Sequence, residues 1–73
     1  MNVDRLVAMA NDIGNFFGGE PQPQERIAGV RHHLERFWDP RMRRQIRSYV
    51  DGGGTGLLDH VRAAVLLLDP PRP

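Results

Sequence analysis

Apolar residues recur along this chain with the spacing of helices that bury one face. In the first segment they recur at intervals of three to four positions from Val3 to Phe17, and Gly18 and Gly19 follow where the pattern stops. Because an α-helix turns once in about 3.6 residues, this spacing places the apolar side chains on one side. A second helix is predicted after Pro23. Its apolar positions are Ile27, Val30, Leu34, Phe37 and Trp38.

Asp39 and Pro40 mark the start of a third predicted helix. An aspartate before the first turn accepts a free backbone N–H, and proline at the first helical position loses no hydrogen bond. The apolar face of this helix is Met42, Ile46, Tyr49 and Val50, and the glycines after Asp51 end it. A fourth helix is predicted to carry Leu57, Leu58, Val61, Ala64, Val65 and Leu68.

No segment shows the alternation typical of a strand, so the sequence predicts an all-α fold, a small bundle of three to four short helices. We expect a single helical domain over residues 1–68 and a flexible Pro-rich tail over residues 69–73. A domain this short buries only about 60% of the surface of its unfolded chain. Its core is therefore small, and contact with a partner would add to its stability.

Composition argues against chemistry within this chain. The sequence has no cysteine, and its three histidines are not spaced as metal ligands, since His32 and His33 are adjacent and His60 is remote. No Ser/His/Asp or Cys/His arrangement is recognisable. We therefore predict no catalytic residue, no metal site and no cofactor-binding residue in this chain.

Charge is nearly balanced overall but concentrated locally. The formal net charge is +1, which is weak for binding nucleic acid, and no apolar stretch is long enough to span a membrane. No basic segment followed by an apolar run opens the chain, so we expect a soluble, cytoplasmic protein with no membrane contact. The segment from Arg31 to Arg47 nevertheless contains six arginines and only two acidic residues, Glu35 and Asp39.

The segment "FWDPRMRRQI", residues 37 to 46, is the best candidate for a contact surface. Aromatic residues and arginine are common in interface hot spots because they combine apolar area with specific polar groups. The predicted partner-binding residues are Phe37, Trp38, Arg41, Arg43, Arg44 and Arg47. In the alternative interpretation, Trp38 fills the corner between two helices and the arginines form a solvated face, and at least one of the two rings is expected to pack inward.

Further apolar residues lie outside the main stripes, namely Met9, Phe16, Leu66 and Leu67. If these side chains remain exposed, they form a patch that favours a partner and allows self-association when the partner is absent. A nucleic-acid-binding module, with the third helix in a DNA groove, is a different hypothesis. The proline in its "FWDP" turn and the low net charge count against that hypothesis.

Three segments resemble the delta subunit of molybdenum-containing NAD-dependent formate dehydrogenases. These are "LVAMANDIGNFFGG", "VRHHLERFWDPRMRRQI" and "GGGTGLLDHVRAAVLLL", in this order. "FWDPRMRRQI" is the most specific of the matching stretches, and "MANDIGNFF" is second. The resemblance covers almost the whole chain, apart from a variable loop and the tail.

The resemblance implies a non-catalytic accessory or assembly subunit of a cytoplasmic complex that oxidises formate and reduces NAD. In that family the catalytic subunit holds a bis-molybdopterin guanine dinucleotide cofactor and iron-sulfur clusters, and other subunits carry FMN and further clusters. The implied partners are the catalytic subunit and a sulfurase-like chaperone, with a role in molybdenum cofactor insertion or retention. A direct carrier of the molybdopterin dinucleotide, with the arginines on its pyrophosphates, stays open as an alternative.

Overall fold

The computed structural model describes residues 2–68, which form four α-helices joined by short loops. The helices are α1 (Val3–Phe17), α2 (Pro23–Phe37), α3 (Pro40–Asp51) and α4 (Asp59–Leu66). The described part of the chain contains no strand, which confirms the predicted all-α fold. The predicted tail, residues 69–73, lies outside the described residues, and the boundary at residue 68 stays a prediction.

Side-chain caps define the starts of α1 and α3. The carboxamide of Asn2 accepts a hydrogen bond from the Asp4 backbone N–H at 2.7 Å, and the carboxylate of Asp39 accepts one from the Met42 N–H at 2.9 Å. Each cap satisfies a backbone donor that has no partner within its helix. The start of α3 is therefore the one predicted from the sequence, with Pro40 in its first turn.

The fourth helix is shorter than its apolar pattern indicates. Leu57, Leu58 and Leu68 were predicted to lie in the helix, but α4 begins at Asp59 and ends at Leu66. The backbone N–H of Leu57 instead bonds to the Gly54 carbonyl at 3.1 Å and closes a turn. Gly54 and Gly56 have φ values of +66° and +88° in this loop, a conformation that glycine adopts without a steric penalty. The prediction was wrong in the helix boundary, although Leu57 is buried.

The core lies where the four apolar faces meet. Helix α1 packs against all three other helices, α2 packs mainly against α4 and α1, and α3 packs against α4 and α1. Burying one aliphatic side chain contributes about 1.5–3 kcal/mol relative to leaving it in water. The buried apolar residues are Leu6, Ala10, Val30, Leu34, Trp38, Ile46, Val50, Leu57, Val61, Ala64, Val65 and Leu68.

Helices α1 and α4 approach closely at Gly14. A Cβ atom at that position would lie 2.3 Å from Cγ2 of Val61, closer than real Cβ contacts permit. The His60 ring adds a hydrogen bond across the same contact, with Nε2 2.7 Å from the Gly14 carbonyl oxygen. The absent side chain at Gly14 thus allows α4 to lie directly on α1, and His60 has a structural contact.

Asn11 joins the middle of α1 to the loop before α4. Its side-chain N–H donates to the Gly56 carbonyl at 2.8 Å, and its side-chain oxygen accepts from the Leu58 N–H at 3.0 Å. Both backbone groups lie outside a helix and have no helical hydrogen-bond partner, so the Asn11 carboxamide supplies the hydrogen bonds that they would otherwise lack. This contact fixes the start of α4 relative to α1.

Candidate binding surface at the corner between α2 and α3

The corner between α2 and α3 places two adjacent aromatic rings on opposite sides of the chain. Trp38 leaves the helical conformation with φ −90° and ψ 137°, which turns the backbone before Asp39 starts α3. Its side chain points into the core and is 5% exposed, whereas Phe37 is 65% exposed. Trp38, although predicted as a contact residue, is thus buried in the described structure and supports the corner from within.

The exposed ring of Phe37 is held by two neighbours on α2. The His33 ring packs against it with centroids 4.7 Å apart and a tilt of 44°, and the guanidinium carbon of Arg36 lies 5.7 Å from its centroid. A cation over an aromatic face is attracted by the ring quadrupole. These contacts orient Phe37 but leave most of its surface in water.

Arg43 is half-buried and bonds to the main chain at the end of α2. Its Nη1 donates to the Trp38 carbonyl and, at 3.4 Å, to the Glu35 carbonyl. The last carbonyls of a helix have no partner within it and carry the negative end of its dipole, so a guanidinium stabilises them. Arg43 therefore acts first as a cap that fixes the angle between α2 and α3.

Arg47 makes the equivalent contact with the end of α4. Its Nη1 donates to the Leu66 carbonyl at 3.2 Å, and its Nε pairs with the Asp51 carboxylate at 3.2 Å. Its Nε and Nη1 are thus both bonded within the chain. Arg43 and Arg47 were predicted as partner-binding residues, and the structure shows that each already has main-chain partners.

Arg41 and Arg44 differ from these two arginines in being exposed. They are three residues apart on α3 and so share a face of that helix. Within residues 2–68 neither has a carboxylate partner, and Arg36 at the end of α2 has only the Phe37 ring. We define the basic corner as Arg36, Phe37, Arg41 and Arg44.

Arg36 is the one member of the basic corner that was not among the predicted partner-binding residues. Its position beside Phe37, in the last turn of α2, was the available signal. Other arginines are engaged: Arg31 Nε lies 3.5 Å from the Glu35 carboxylate, without the alignment of a hydrogen bond. Arg62 pairs with Asp59. Apart from Arg5 on α1, the exposed arginines of residues 2–68 that have no carboxylate partner are therefore those of the basic corner.

Chemically, the basic corner offers charged hydrogen-bond donors and one apolar ring. Guanidinium groups form paired hydrogen bonds with carboxylates or phosphates, and an exposed phenylalanine favours an apolar pocket. No group of three His, Cys, Asp or Glu side chains among residues 2–68 is arranged to hold a metal ion. Within those residues, no helix is both long and apolar enough to cross a membrane.

The fold defines a class: a small all-helical protein, which here carries exposed arginines and an exposed phenylalanine at the corner between α2 and α3. A family model described as NADH-dependent formate dehydrogenase delta subunit FdsD matches residues 5–65. The match includes the basic corner and nearly all of the four helices, and the chain belongs to this family. This confirms the resemblance seen in the sequence. No curated protein and no solved structure gives a significant match.

Proposed function

We propose that this chain is a non-catalytic accessory subunit that binds the catalytic subunit of formate dehydrogenase through the basic corner. Family membership supports a place in such a complex. The observation that carries the proposal is the pair of exposed guanidiniums of Arg41 and Arg44, which have no carboxylate partner among residues 2–68, together with the exposed ring of Phe37 at the same corner of the chain. The expected counterpart is a surface with carboxylates around an apolar pocket.

The corner is well prepared for binding because its backbone is already fixed. Trp38 fills the space under it, Asp39 caps α3, and Arg43 ties the end of α2 to α3. A preorganised surface loses less conformational entropy on association than a flexible one. Binding would pair Arg41 and Arg44 with carboxylates and remove the Phe37 ring from water.

The finer proposal concerns the complex that this subunit serves. We propose a cytoplasmic enzyme in which the catalytic subunit carries bis-molybdopterin guanine dinucleotide and iron-sulfur clusters, and other subunits carry FMN and receive NAD. The small subunit would support insertion or retention of the molybdenum cofactor by contacting the catalytic subunit, with a sulfurase-like chaperone as a second partner. A direct carrier role would use the same guanidiniums, since these also bind pyrophosphate.

The test is co-purification of the tagged chain from its native cells, followed by an assay of formate-dependent NAD reduction in the eluate. We expect the unchanged chain to recover an active complex. The double variant Arg41→Glu/Arg44→Glu should recover at least tenfold less, because like charges would then face each other. Arg5→Glu is the control for charge reversal, since it replaces one exposed arginine of α1 in the same way, with half the charge change of the double variant.

The ring has its own matched pair of variants. Phe37→Ser should reduce recovery of the complex, whereas Phe16→Ser removes a ring that is 80% exposed at a distance from the basic corner and should not. Circular dichroism checks that each variant remains helical. Full recovery with Arg41→Glu/Arg44→Glu would refute the basic corner as the contact.

Two other results would favour the other hypotheses. Capture of a molybdopterin dinucleotide by the isolated chain, lost in Arg41→Glu/Arg44→Glu, would indicate a direct carrier. Arg43 is unsuitable for that test because its loss would also disturb the end of α2. Retention on DNA or RNA that falls steeply with salt would indicate a nucleic-acid-binding module.

A further inference from the structure

One side of the α1 and α2 pair carries two pairs of rings that follow one another along the surface. The Phe16 ring packs edge-on against Phe17, with centroids 5.0 Å apart. The Phe17 ring in turn covers Gly29 on α2, where a Cβ atom would lie 2.3 Å from the ring. His33 follows one helical turn after Gly29, and its ring packs against Phe37. We define the aromatic strip as Phe16, Phe17, His33 and Phe37.

The two ends of the aromatic strip are its most exposed parts. Phe16 is 80% exposed and Phe37 is 65% exposed, and these are the highest values among the large apolar side chains of residues 2–68. Helix α4 contacts α1 on a different side, at Gly14. Two exposed rings at the ends of one strip indicate a surface that is stabilised when another molecule covers it.

Charges of opposite sign flank the two ends. Asp12 precedes Phe16 by one turn on α1, and Glu25 precedes Gly29 by one turn on α2. Arg36 lies beside Phe37 at the other end. All three are exposed, and none has an ion-pair partner among the described residues.

Arg5 adds a second cation at the Phe37 end. A short loop joins α1 and α2, and the two helices pack on each other, so the start of α1 lies toward the end of α2. Arg5 occupies the first turns of α1 and is exposed. The strip thus has two acids at one end and two arginines at the other.

We propose that the free chain forms an antiparallel homodimer through the aromatic strip. The two-fold axis lies in the plane of the interface and is perpendicular to the long direction of the strip. It places Phe16 of each copy on Phe37 of the other copy, so that this contact occurs twice. The same operation brings Asp12 and Glu25 of each copy to Arg5 and Arg36 of its partner. Such an interface is closed, because each copy contributes the same surface and no further copy can join.

The dimensions of the strip predict a weak dimer. Helices of 15 residues are about 22 Å long, and two packed helices are about 20 Å wide. This footprint is at the small end of specific interfaces. Its charges are exposed and therefore screened by salt. We expect a dimer that forms at high protein concentration and low ionic strength.

The homodimer goes beyond the subunit contact proposed above, although the two surfaces overlap. Arg36 and Phe37 belong to both, whereas Arg41 and Arg44 belong to the basic corner alone. A second copy and the catalytic subunit would therefore compete for the same end of α2. The dimer would be the state of the chain before it joins the complex.

Analytical ultracentrifugation of the purified full chain tests the dimer without any other subunit. The unchanged chain should dimerise with concentration and dissociate as salt is raised. Asp12→Arg/Glu25→Arg and Arg5→Glu/Arg36→Glu should each raise the dissociation constant at least tenfold, because like charges then face each other. An equal mixture of these two variants should restore association, since one is cationic and the other anionic along the strip.

Two further variants separate this proposal from the subunit contact. Phe16→Ser should weaken the dimer at least tenfold with unchanged helical content. Arg41→Glu/Arg44→Glu should remain dimeric even though it is expected to lose the complex. A chain that stays monomeric at every concentration and salt would overturn the dimer and leave the subunit contact intact. The dimer would also be overturned if the mixture of the two charge variants failed to associate. It would likewise be overturned if Arg41→Glu/Arg44→Glu lost the dimer to the same extent as Arg5→Glu/Arg36→Glu.

Discussion

At the scale of single residues, the chain assigns different tasks to side chains that look equivalent in the sequence. Phe37 and Trp38 are adjacent rings, yet Trp38 lies in the core and Phe37 lies in water. Arg43 and Arg44 are adjacent arginines, yet Arg43 bonds to carbonyls at the end of α2 and Arg44 is exposed. Arg43 and Arg44 point about 100° apart as neighbours on one helix, which is enough to half-bury one and leave the other exposed, whereas Trp38 is turned inward by the extended backbone at the corner.

Substitution of the two rings should separate stability from binding. Trp38→Ala should cost about 3–5 kcal/mol, as truncation of a buried aromatic does, and this is comparable with the whole stability of so small a core. We expect the variant to be largely unfolded by circular dichroism at 25 °C. Phe37→Ala should lose much less and remain folded. A folded Trp38→Ala chain with unchanged thermal unfolding would contradict the burial of its ring.

Substitution of the two arginines gives a second comparison. Arg43→Ala removes the hydrogen bonds to the last carbonyls of α2 and should reduce the free energy of unfolding by about 1 kcal/mol. Arg44→Ala should change it by less than about 0.5 kcal/mol, as exposed substitutions usually do. Urea unfolding measures both values. Equal losses in the two variants would argue against Arg43 as a helix cap.

At the scale of helices, close packing depends on two glycines that carry no chemistry. Gly14 allows α4 to lie on α1, and Gly29 leaves the space on α2 that the Phe17 ring occupies. A side chain at either position would force two elements apart. Asn11 then fixes the register of α1 against the loop before α4, through two hydrogen bonds to backbone groups that have no helical partner.

Gly14→Ala tests the contact between α1 and α4. Alanine favours a helix by up to about 1 kcal/mol over glycine, but its Cβ would lie 2.3 Å from the fully buried Val61. Overpacking typically costs about 1–3 kcal/mol, so we expect a lower midpoint of thermal unfolding. Gly19→Ala is the control, since no atom lies within 4 Å of its added Cβ, and it should be neutral or slightly stabilising. A raised midpoint for Gly14→Ala would show that the helices separate easily.

At the scale of the whole molecule, the small core and the exposed rings are consistent with a chain that gains stability from a partner. Its buried residues form a single cluster, and no cysteine adds a covalent link. Anything that binds only the folded state stabilises it in proportion to the logarithm of its concentration over its dissociation constant. The accessory subunit proposed here should therefore be more stable in its complex than alone.

Hydrogen exchange measures this linkage. Amides of the α2 and α3 segments around the basic corner should exchange at least tenfold more slowly in the complex than in the isolated chain, because their opening then requires loss of the partner. The Arg41→Glu/Arg44→Glu chain, mixed with the same catalytic subunit, should keep the exchange rates of the isolated chain. Equal protection of the unchanged and the doubly substituted chains would place the contact elsewhere.

The sequence by itself determined the four helices, the capped start of α3 at Asp39, the faces that form the core, and the family. These features follow from spacing along one helix and from caps a few residues away, and both are local properties. The tertiary structure alone decided the start of α4, the burial of Trp38 and the arginines that stay available. Arg47 bonds to Leu66, 19 residues away, and such partners depend on how helices approach each other in space. Helical spacing indicates which side of its own helix a residue occupies, but only the packed structure shows what lies opposite.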